Sequence, residues 1–123
     1  MQHEPHLSTV FVYGSLMHGL ALHGALDDCP YLGEAELFGY SLYDLGPFPG
    51  IRATPGQGRV LGELYAVAQA DLDRLDAIEG EGHLYRRTLV TTLCESGEVT
   101  AAETYVYLGP DGKLLPSGTR WGS

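Results

Sequence analysis

The sequence predicts a small strand-rich domain, folded either as a strongly bent sheet or as a closed barrel. Three observations favour this class. About five or six short segments are rich in β-branched and aromatic residues, glycine accounts for 17 of the 123 residues, and only two segments have a helical pattern. A chain of this length has room for one hydrophobic core. We therefore expect residues 1–123 to form a single domain, with residues 1–7 as a mobile tail.

Composition excludes several functional classes. The formal net charge is −9 and the chain has no basic run, which argues against nucleic acid and anionic membrane surfaces as partners. No apolar run approaches membrane-spanning length, and the N-terminus lacks the pattern of a signal peptide, so we expect a cytoplasmic protein. Cys29 and Cys94 lie far apart without a metal-binding or disulfide pattern, and they predict free buried thiols.

The first strand and the loop after it are the most suggestive local feature. The strand is predicted over residues 8–13 and stops at Gly14, which can adopt unusual backbone angles and has no side chain to block a ligand. A short helix is predicted over residues 20–26. Backbone N–H groups in such a turn suit an anion or a developing oxyanion. The alternative is an ordinary turn capped by Ser15, and this stretch alone favours that alternative.

The middle of the chain predicts further short strands. Residues 31–45 form two strand-like pieces bent at Gly39. Residues 46–50 contain two prolines and predict a rigid turn. Another strand is predicted over residues 60–67, where Gly62 indicates a bulge or a bend.

One convincing helix is predicted over residues 69–79. Leu72, Leu75 and either Ile78 or Glu79 lie along one face of it. Glu79 falls in the last turn at the edge of this face, where both the helix dipole and burial disfavour negative charge. Such local conflicts cluster at functional sites. The alternative is that Glu79 points to solvent, and its position in the sequence does not separate the two.

The last part of the chain predicts a β-hairpin. Residues 85–93 and 99–108 have strand composition, and residues 95–98 between them form a plausible hairpin turn. We expect Trp121 to pack the end of the chain against the body of the domain.

Taken in order, these segments resemble the γ-glutamylcyclotransferase-like family, in particular its small γ-glutamylamine and butirosin-type branch. No single motif is specific, but the ordered set extends from about residue 9 to residue 118. The resemblance implies an α+β fold, a small mixed β-barrel of five to seven strands with two flanking helices. The matching segments are residues 12–16 (VYGSL), 48–51 (FPGI), 62–65 (GELY), 72–80 (LDRLDAIEG), 85–87 (YRR) and 116–118 (PSG).

The resemblance also implies the site residues. Backbone N–H groups of the loop formed by Tyr13, Gly14, Ser15 and Leu16 would hold a γ-glutamyl group, and Glu79 would be the catalytic carboxylate. These five residues are the predicted centre of the site.

Other residues are weaker candidates. Glu81 follows the helix end and is a second, less favoured carboxylate. Tyr43, Tyr85 and Tyr107 are candidates for lining the cavity, although core packing is the commoner role of any one tyrosine. We expect residues 81–84 to influence which substrates are accepted.

The implied reaction is intramolecular. The free α-amine of a γ-glutamyl group attacks its own γ-carbonyl, which gives 5-oxoproline and releases the amine. One carboxylate can carry the proton, backbone N–H groups can stabilise the oxyanion, and no metal or cofactor is required. The expected partner is a small γ-glutamyl compound, and a monomer and a small homo-oligomer are both compatible with the sequence. The negative charge predicts mild steering of cationic leaving groups. The alternative function is a non-catalytic small-molecule binding domain on the same barrel.

Overall fold

A closed five-stranded barrel forms the centre of the protein. The computed structural model describes residues 7–14, 16–17, 19–20, 23–110 and 112–122. The barrel order is the first, fifth, second, sixth and seventh of the strands found in these residues. The strands are β1 (Leu7–Val12), β2 (Tyr31–Phe38), β3 (Tyr40–Asp44), β4 (Pro49–Ala53), β5 (Arg59–Ala68), β6 (Tyr85–Cys94), β7 (Val99–Tyr107) and β8 (Lys113–Leu114).

Closure of the barrel depends on one parallel contact. β1 pairs antiparallel with β5 on one side and parallel with β7 on the other, where Val10 lies beside Glu103. The other neighbours in the barrel are antiparallel, including the β6–β7 hairpin over the turn at residues 95–98. The predicted mixed barrel and the predicted hairpin are therefore confirmed.

A second sheet of three strands, in the order β4-β3-β8, packs beside the barrel. Gly39, with a φ of 83°, separates β2 in the barrel from β3 in this sheet, so the bend predicted there is confirmed. The turn predicted over residues 46–50 is shorter than expected. β4 already begins at Pro49, which pairs with Asp44, because a proline is tolerated as the first residue of a strand.

The predicted long helix is present as α1 (Gln69–Glu79). Leu72 and Leu75 are buried, and Gly80 ends the helix in the left-handed conformation with a φ of 62°. The second predicted helix is wrong over its described part, which is a single 3-10 turn at His23–Leu26. So short a segment gains too few hydrogen bonds to offset helix nucleation, and 3-10 turns are commonly used in such short pieces. Residues 21 and 22 lie outside the described residues.

Of the two roles predicted for Gly62, a bulge or a bend, the bulge is wrong. The pairing of β5 with β2 runs without a register shift opposite Ala35, and the irregularity lies instead between Tyr31 and Gly33. A Cβ atom at Gly62 would lie 2.6 Å from Cζ of Phe11. The glycine is required because an aromatic ring packs directly on the strand.

Two clusters of buried residues form the core, and Trp121 packs against both, as the sequence predicts. Cys29 is buried and Cys94 is half-buried, and neither forms a disulfide. Within the described ranges, no helix combines the length and the apolar character needed to cross a membrane.

Candidate active site

Glu79 lies at the end of α1 and faces a small cavity of about 130 Å³. Leu72 and Leu75 fix the orientation of the helix because both are buried on the face that includes Glu79. The Glu79 side chain is half-buried. Of the two orientations compatible with the sequence, the structure has the inward one.

The surroundings of Glu79 favour its protonated form. Burial raises the pKa of Glu79 from 4.5 to about 7. The C-terminal end of a helix adds to this effect, since it carries partial negative charge. Among the described residues, the carboxylate has no hydrogen-bond or ion-pair partner. A carboxyl group with these properties can both accept and release a proton near neutral pH.

The end of β1 and the residues directly after it form one wall of the cavity. Gly14 belongs to this wall. Tyr13, Gly14 and Leu16 line the cavity together with Glu79, whereas Ser15 lies outside the described residues. Gly14 does not have a positive φ. It is needed for another reason, since a Cβ atom there would lie 2.9 Å from Cγ of Pro49, which also lines the cavity.

The backbone of this loop supplies fewer free donors than expected. The Met17 N–H donates to the Gly14 carbonyl at 3.0 Å and is thus already used. The N–H groups of Gly14 and Leu16 have no acceptor in the described part of the chain. The Leu16 carbonyl accepts a hydrogen bond from Nδ1 of His23 at 3.0 Å, which fastens the loop to the 3-10 turn.

Three tyrosine rings line the cavity, and all three hydroxyl groups donate to the protein. Tyr13 donates to the Tyr105 carbonyl at 2.6 Å, and Tyr85 donates to the Pro49 carbonyl at 2.6 Å. Tyr105 donates to Asp76 at 2.6 Å. The three hydroxyl groups therefore hold β1, the start of β4 at Pro49 and α1 in position.

These tyrosines also stay neutral. Burial raises the pKa of Tyr13, Tyr85 and Tyr105, and the nearby Glu79 carboxylate raises all three further. Among the lining residues that the structure describes, Glu79 is therefore the group suited to proton transfer at pH 7.

The weaker candidates lie at different distances from the cavity. Tyr85 is part of its lining. Tyr107 is not, but its ring packs on that of Tyr85 with centroids 5.7 Å apart. Tyr43 belongs to β3 in the second sheet, and it is not among the described lining residues. The Glu81 carboxylate accepts a hydrogen bond from the Arg87 N–H at 3.0 Å on the exposed side of the turn.

Sequence reasoning missed several lining residues. Tyr105 lies two residues before Tyr107 on β7, so strand alternation places both on the same face and cannot show which one reaches the cavity. Phe48 lies between two prolines that restrict its loop, which was a usable signal. Ile78 was predicted only as part of the apolar face of α1, and Leu84 only as one of residues 81–84, which were expected to influence substrate choice. Together they surround the opening of the cavity.

The arrangement can bind a small molecule and move a proton. One titratable carboxyl and two backbone N–H groups without a described acceptor belong to residues that line the same largely apolar cavity. Within the described ranges, no three His, Cys, Asp or Glu side chains group together as metal ligands do.

Comparison with known proteins identifies the family of the chain. Residues 10–123 match the family described as "Gamma-glutamyl cyclotransferase, AIG2-like". The chain is 41% identical over 111 residues to the γ-glutamylcyclotransferase family protein YtfP of Escherichia coli K12, in an alignment covering 89% of this chain and 92% of that protein.

Solved structures have the same fold. The uncharacterised protein PH0828 of Pyrococcus horikoshii aligns with a TM-score of 0.69 and 31% identity, covering 88% of this chain and 85% of that one. An AIG2-like protein of Mus musculus aligns with a TM-score of 0.75 over 94% of this chain and 99% of that one, and its 24% identity shows the fold alone. On sequence and structure together, the protein belongs to the γ-glutamyl cyclotransferase, AIG2-like family.

Proposed function

We propose that the protein is a γ-glutamyl cyclotransferase that converts a γ-glutamyl amine or peptide into 5-oxoproline and a free amine. One observation carries the proposal. Glu79 has a pKa of about 7 and shares a small cavity with the Gly14 and Leu16 backbone. Family membership supports the reaction class, and the geometry supports these particular residues as the site.

In the proposed reaction, the substrate is both nucleophile and electrophile. Its α-amine nitrogen attacks the γ-carbonyl carbon, and the ionised Glu79 accepts a proton from that nitrogen. The carbonyl electrons move to oxygen, where the Gly14 and Leu16 N–H groups stabilise the negative charge. When the carbonyl re-forms, the bond to the leaving nitrogen breaks and Glu79 returns the proton to it. Glu79 is then ionised again.

Two physical effects supply the rate in this scheme. Ring closure places nucleophile and electrophile in one molecule, so binding needs only to select the folded-back conformer. Proton transfer by a positioned carboxyl group contributes typically about 10²–10⁴-fold, and it is most effective when the pKa lies near the working pH. Glu79 meets that condition because of its burial.

Incubation with a panel of γ-glutamyl amines and γ-glutamyl dipeptides, with 5-oxoproline measured by mass spectrometry, tests the proposal. We expect 5-oxoproline and an equal amount of free amine from at least one class. Acetylation of the substrate α-amine should abolish the reaction, since it removes the nucleophile. If the protein binds the panel but yields no 5-oxoproline, a binding domain is the correct description.

A further inference from the structure

The cavity has a defined inner end and a defined mouth. Most of its lining is almost completely shielded, as with Val12 and Tyr105, each 3% exposed. Three lining residues of the described chain are instead clearly exposed. These are Phe48 at 37%, Ile78 at 42% and Leu84 at 38%. They mark the place where the cavity opens to solvent.

All three residues at the mouth are apolar. They come from separate segments: the loop before β4, the last turn of α1 and the turn before β6. Single exposed apolar residues are common on protein surfaces and need no explanation. Here three of them line one cavity, and apolar surface grouped in this way marks ligand-binding sites. We call Phe48, Ile78 and Leu84 the apolar mouth.

The apolar mouth is held in place by the surrounding structure. The Phe48 ring packs near that of Tyr85, with centroids 6.5 Å apart, and the hydroxyl of Tyr85 holds the adjacent Pro49 carbonyl. The Leu84 carbonyl accepts a hydrogen bond from Leu108 at 2.9 Å, and its N–H donates to Gly80 at 2.9 Å. A preformed apolar surface binds with less ordering of the protein than a flexible one.

On the proposed function, the γ-glutamyl group must reach Glu79 and the Gly14 backbone, because proton transfer requires hydrogen-bond distance. The substituent on the leaving nitrogen is then the part of the substrate that projects through the opening. We infer that the apolar mouth is the subsite for this substituent and that the protein prefers apolar leaving amines, with unbranched alkyl or aromatic substituents. The inference rests on the proposed function and deepens it.

Local contact and overall charge make opposite predictions here. The net charge of −9 attracts cationic leaving groups at long range. Among the described residues that line the cavity, however, Glu79 is the only acidic one, and the reaction uses it. An ammonium group placed there would lose hydration without gaining a partner. We therefore expect apolar contact to determine the preference once salt screens the long-range attraction.

A homologous series tests the inference directly. We would measure kcat/KM for γ-glutamyl alkylamines from methyl to pentyl, at low and at high salt. A fully buried methylene contributes about fourfold, so a half-buried one contributes roughly twofold, and the four methylenes added from methyl to pentyl should span roughly 16-fold. The salt concentration should leave this slope unchanged. The matched 5-aminopentyl compound adds only a terminal ammonium, and it should react more slowly than the pentyl compound at high salt.

Variants locate the effect. Phe48→Ser and Leu84→Ser should each flatten the dependence on chain length. Leu89→Ser is the matched control, since Leu89 is 71% exposed on β6 and does not line the cavity, and it should keep the wild-type slope. Circular dichroism would show whether the variants fold. Dissociation constants of the same series, measured by calorimetry on Glu79→Gln, should show the same slope without turnover.

The outcomes separate this inference from the proposed function. Formation of 5-oxoproline at rates independent of chain length would overturn the apolar subsite and leave the cyclotransferase intact. Absence of 5-oxoproline from every compound would overturn the cyclotransferase, and the dissociation constants would still decide the subsite. A flat series combined with a dimer that Phe48→Ser dissociates would assign the patch to self-association instead.

Discussion

Glu63 and Glu79 are both shielded from solvent, but their surroundings differ in one decisive respect. Glu63 on β5 is 4% exposed and fully provided with partners, since Tyr65 donates to it at 3.0 Å and Arg120 pairs with it at 2.8 Å. Glu79 is less buried but has no such partner among the described residues, and its pKa rises to about 7. The contrast teaches that shielding from solvent is not enough to select a candidate for proton transfer. The candidate is the shielded carboxylate that lacks a partner among the described residues.

The largest expected effect is on turnover in Glu79→Gln. The amide keeps the size of the side chain but cannot accept a proton at neutral pH. We expect kcat to fall by at least about 100-fold while the affinity for 5-oxoproline is retained. Glu63→Gln is the matched control and should keep most of the activity, because its partners Tyr65 and Arg120 lie outside the cavity that contains Glu79. Near-normal turnover in Glu79→Gln would transfer the proton-carrying role to another group.

The pH dependence of catalysis sharpens the comparison. Ionised Glu79 is the form that accepts the first proton, so kcat should rise with pH through an apparent pKa of about 7. The residual activity of Glu79→Gln should lack this limb, while any titration of the substrate amine persists in both proteins. Rate profiles between about pH 4 and pH 9 would measure it. A wild-type profile with its limb near the ordinary glutamate value of 4.5 would contradict the assignment.

The next effect concerns stability and falls on the other glutamate. Glu63→Gln removes one charge of a buried pair and leaves Arg120 with only Glu34, at 2.9 Å, as a described acidic partner. We expect the free energy of unfolding to decrease by about 1–3 kcal/mol, measured by urea denaturation at pH 7. Unchanged stability would mean that the attraction between Glu63 and Arg120 only offsets the cost of removing the two charges from water.

The smallest effect is the gain in stability when Glu79 loses its charge. Its pKa is higher in the folded protein, at about 7, than its ordinary value of 4.5, so the folded state binds the proton more tightly. Wild-type stability should therefore be highest relative to Glu79→Gln below pH 4.5 and should decline as the pH rises to 7. At pH 8 the variant should be more stable by about 1–3 kcal/mol, and at pH 4 the two should be alike. Parallel urea titrations would show whether the two proteins have equal stability at pH 4 and different stability at pH 8.

Local patterns predicted a large part of the fold. The strand composition of β1 and β5, the glycine bend at residue 39 and the apolar face of α1 are each determined by neighbouring residues. Glu79 was also predictable, because its conflict with the end of its own helix is a local property.

The remainder of the site depends on contacts between distant segments. Phe48, Ile78 and Leu84 meet only because the second sheet, the helix and the turn before β6 are packed together. Gly14 is required by Pro49, a residue from another sheet, rather than by its own backbone angles. Tyr105 lines the cavity and Tyr107 does not, and this difference depends on where along its length β7 pairs with β1. No periodicity within a single segment specifies these arrangements.

The parallel contact between β1 and β7 also sets an order of assembly. Tyr13 bonds to the carbonyl of a residue 92 positions later, and Thr104 donates to the Phe11 carbonyl across 93 positions. During synthesis, the first strand of the barrel must therefore wait for nearly the whole chain before its second edge is covered. The cavity takes its walls from both strands, so it cannot be complete before β7 is present. A nascent chain that ends before β7 has Glu79 but no finished pocket around it.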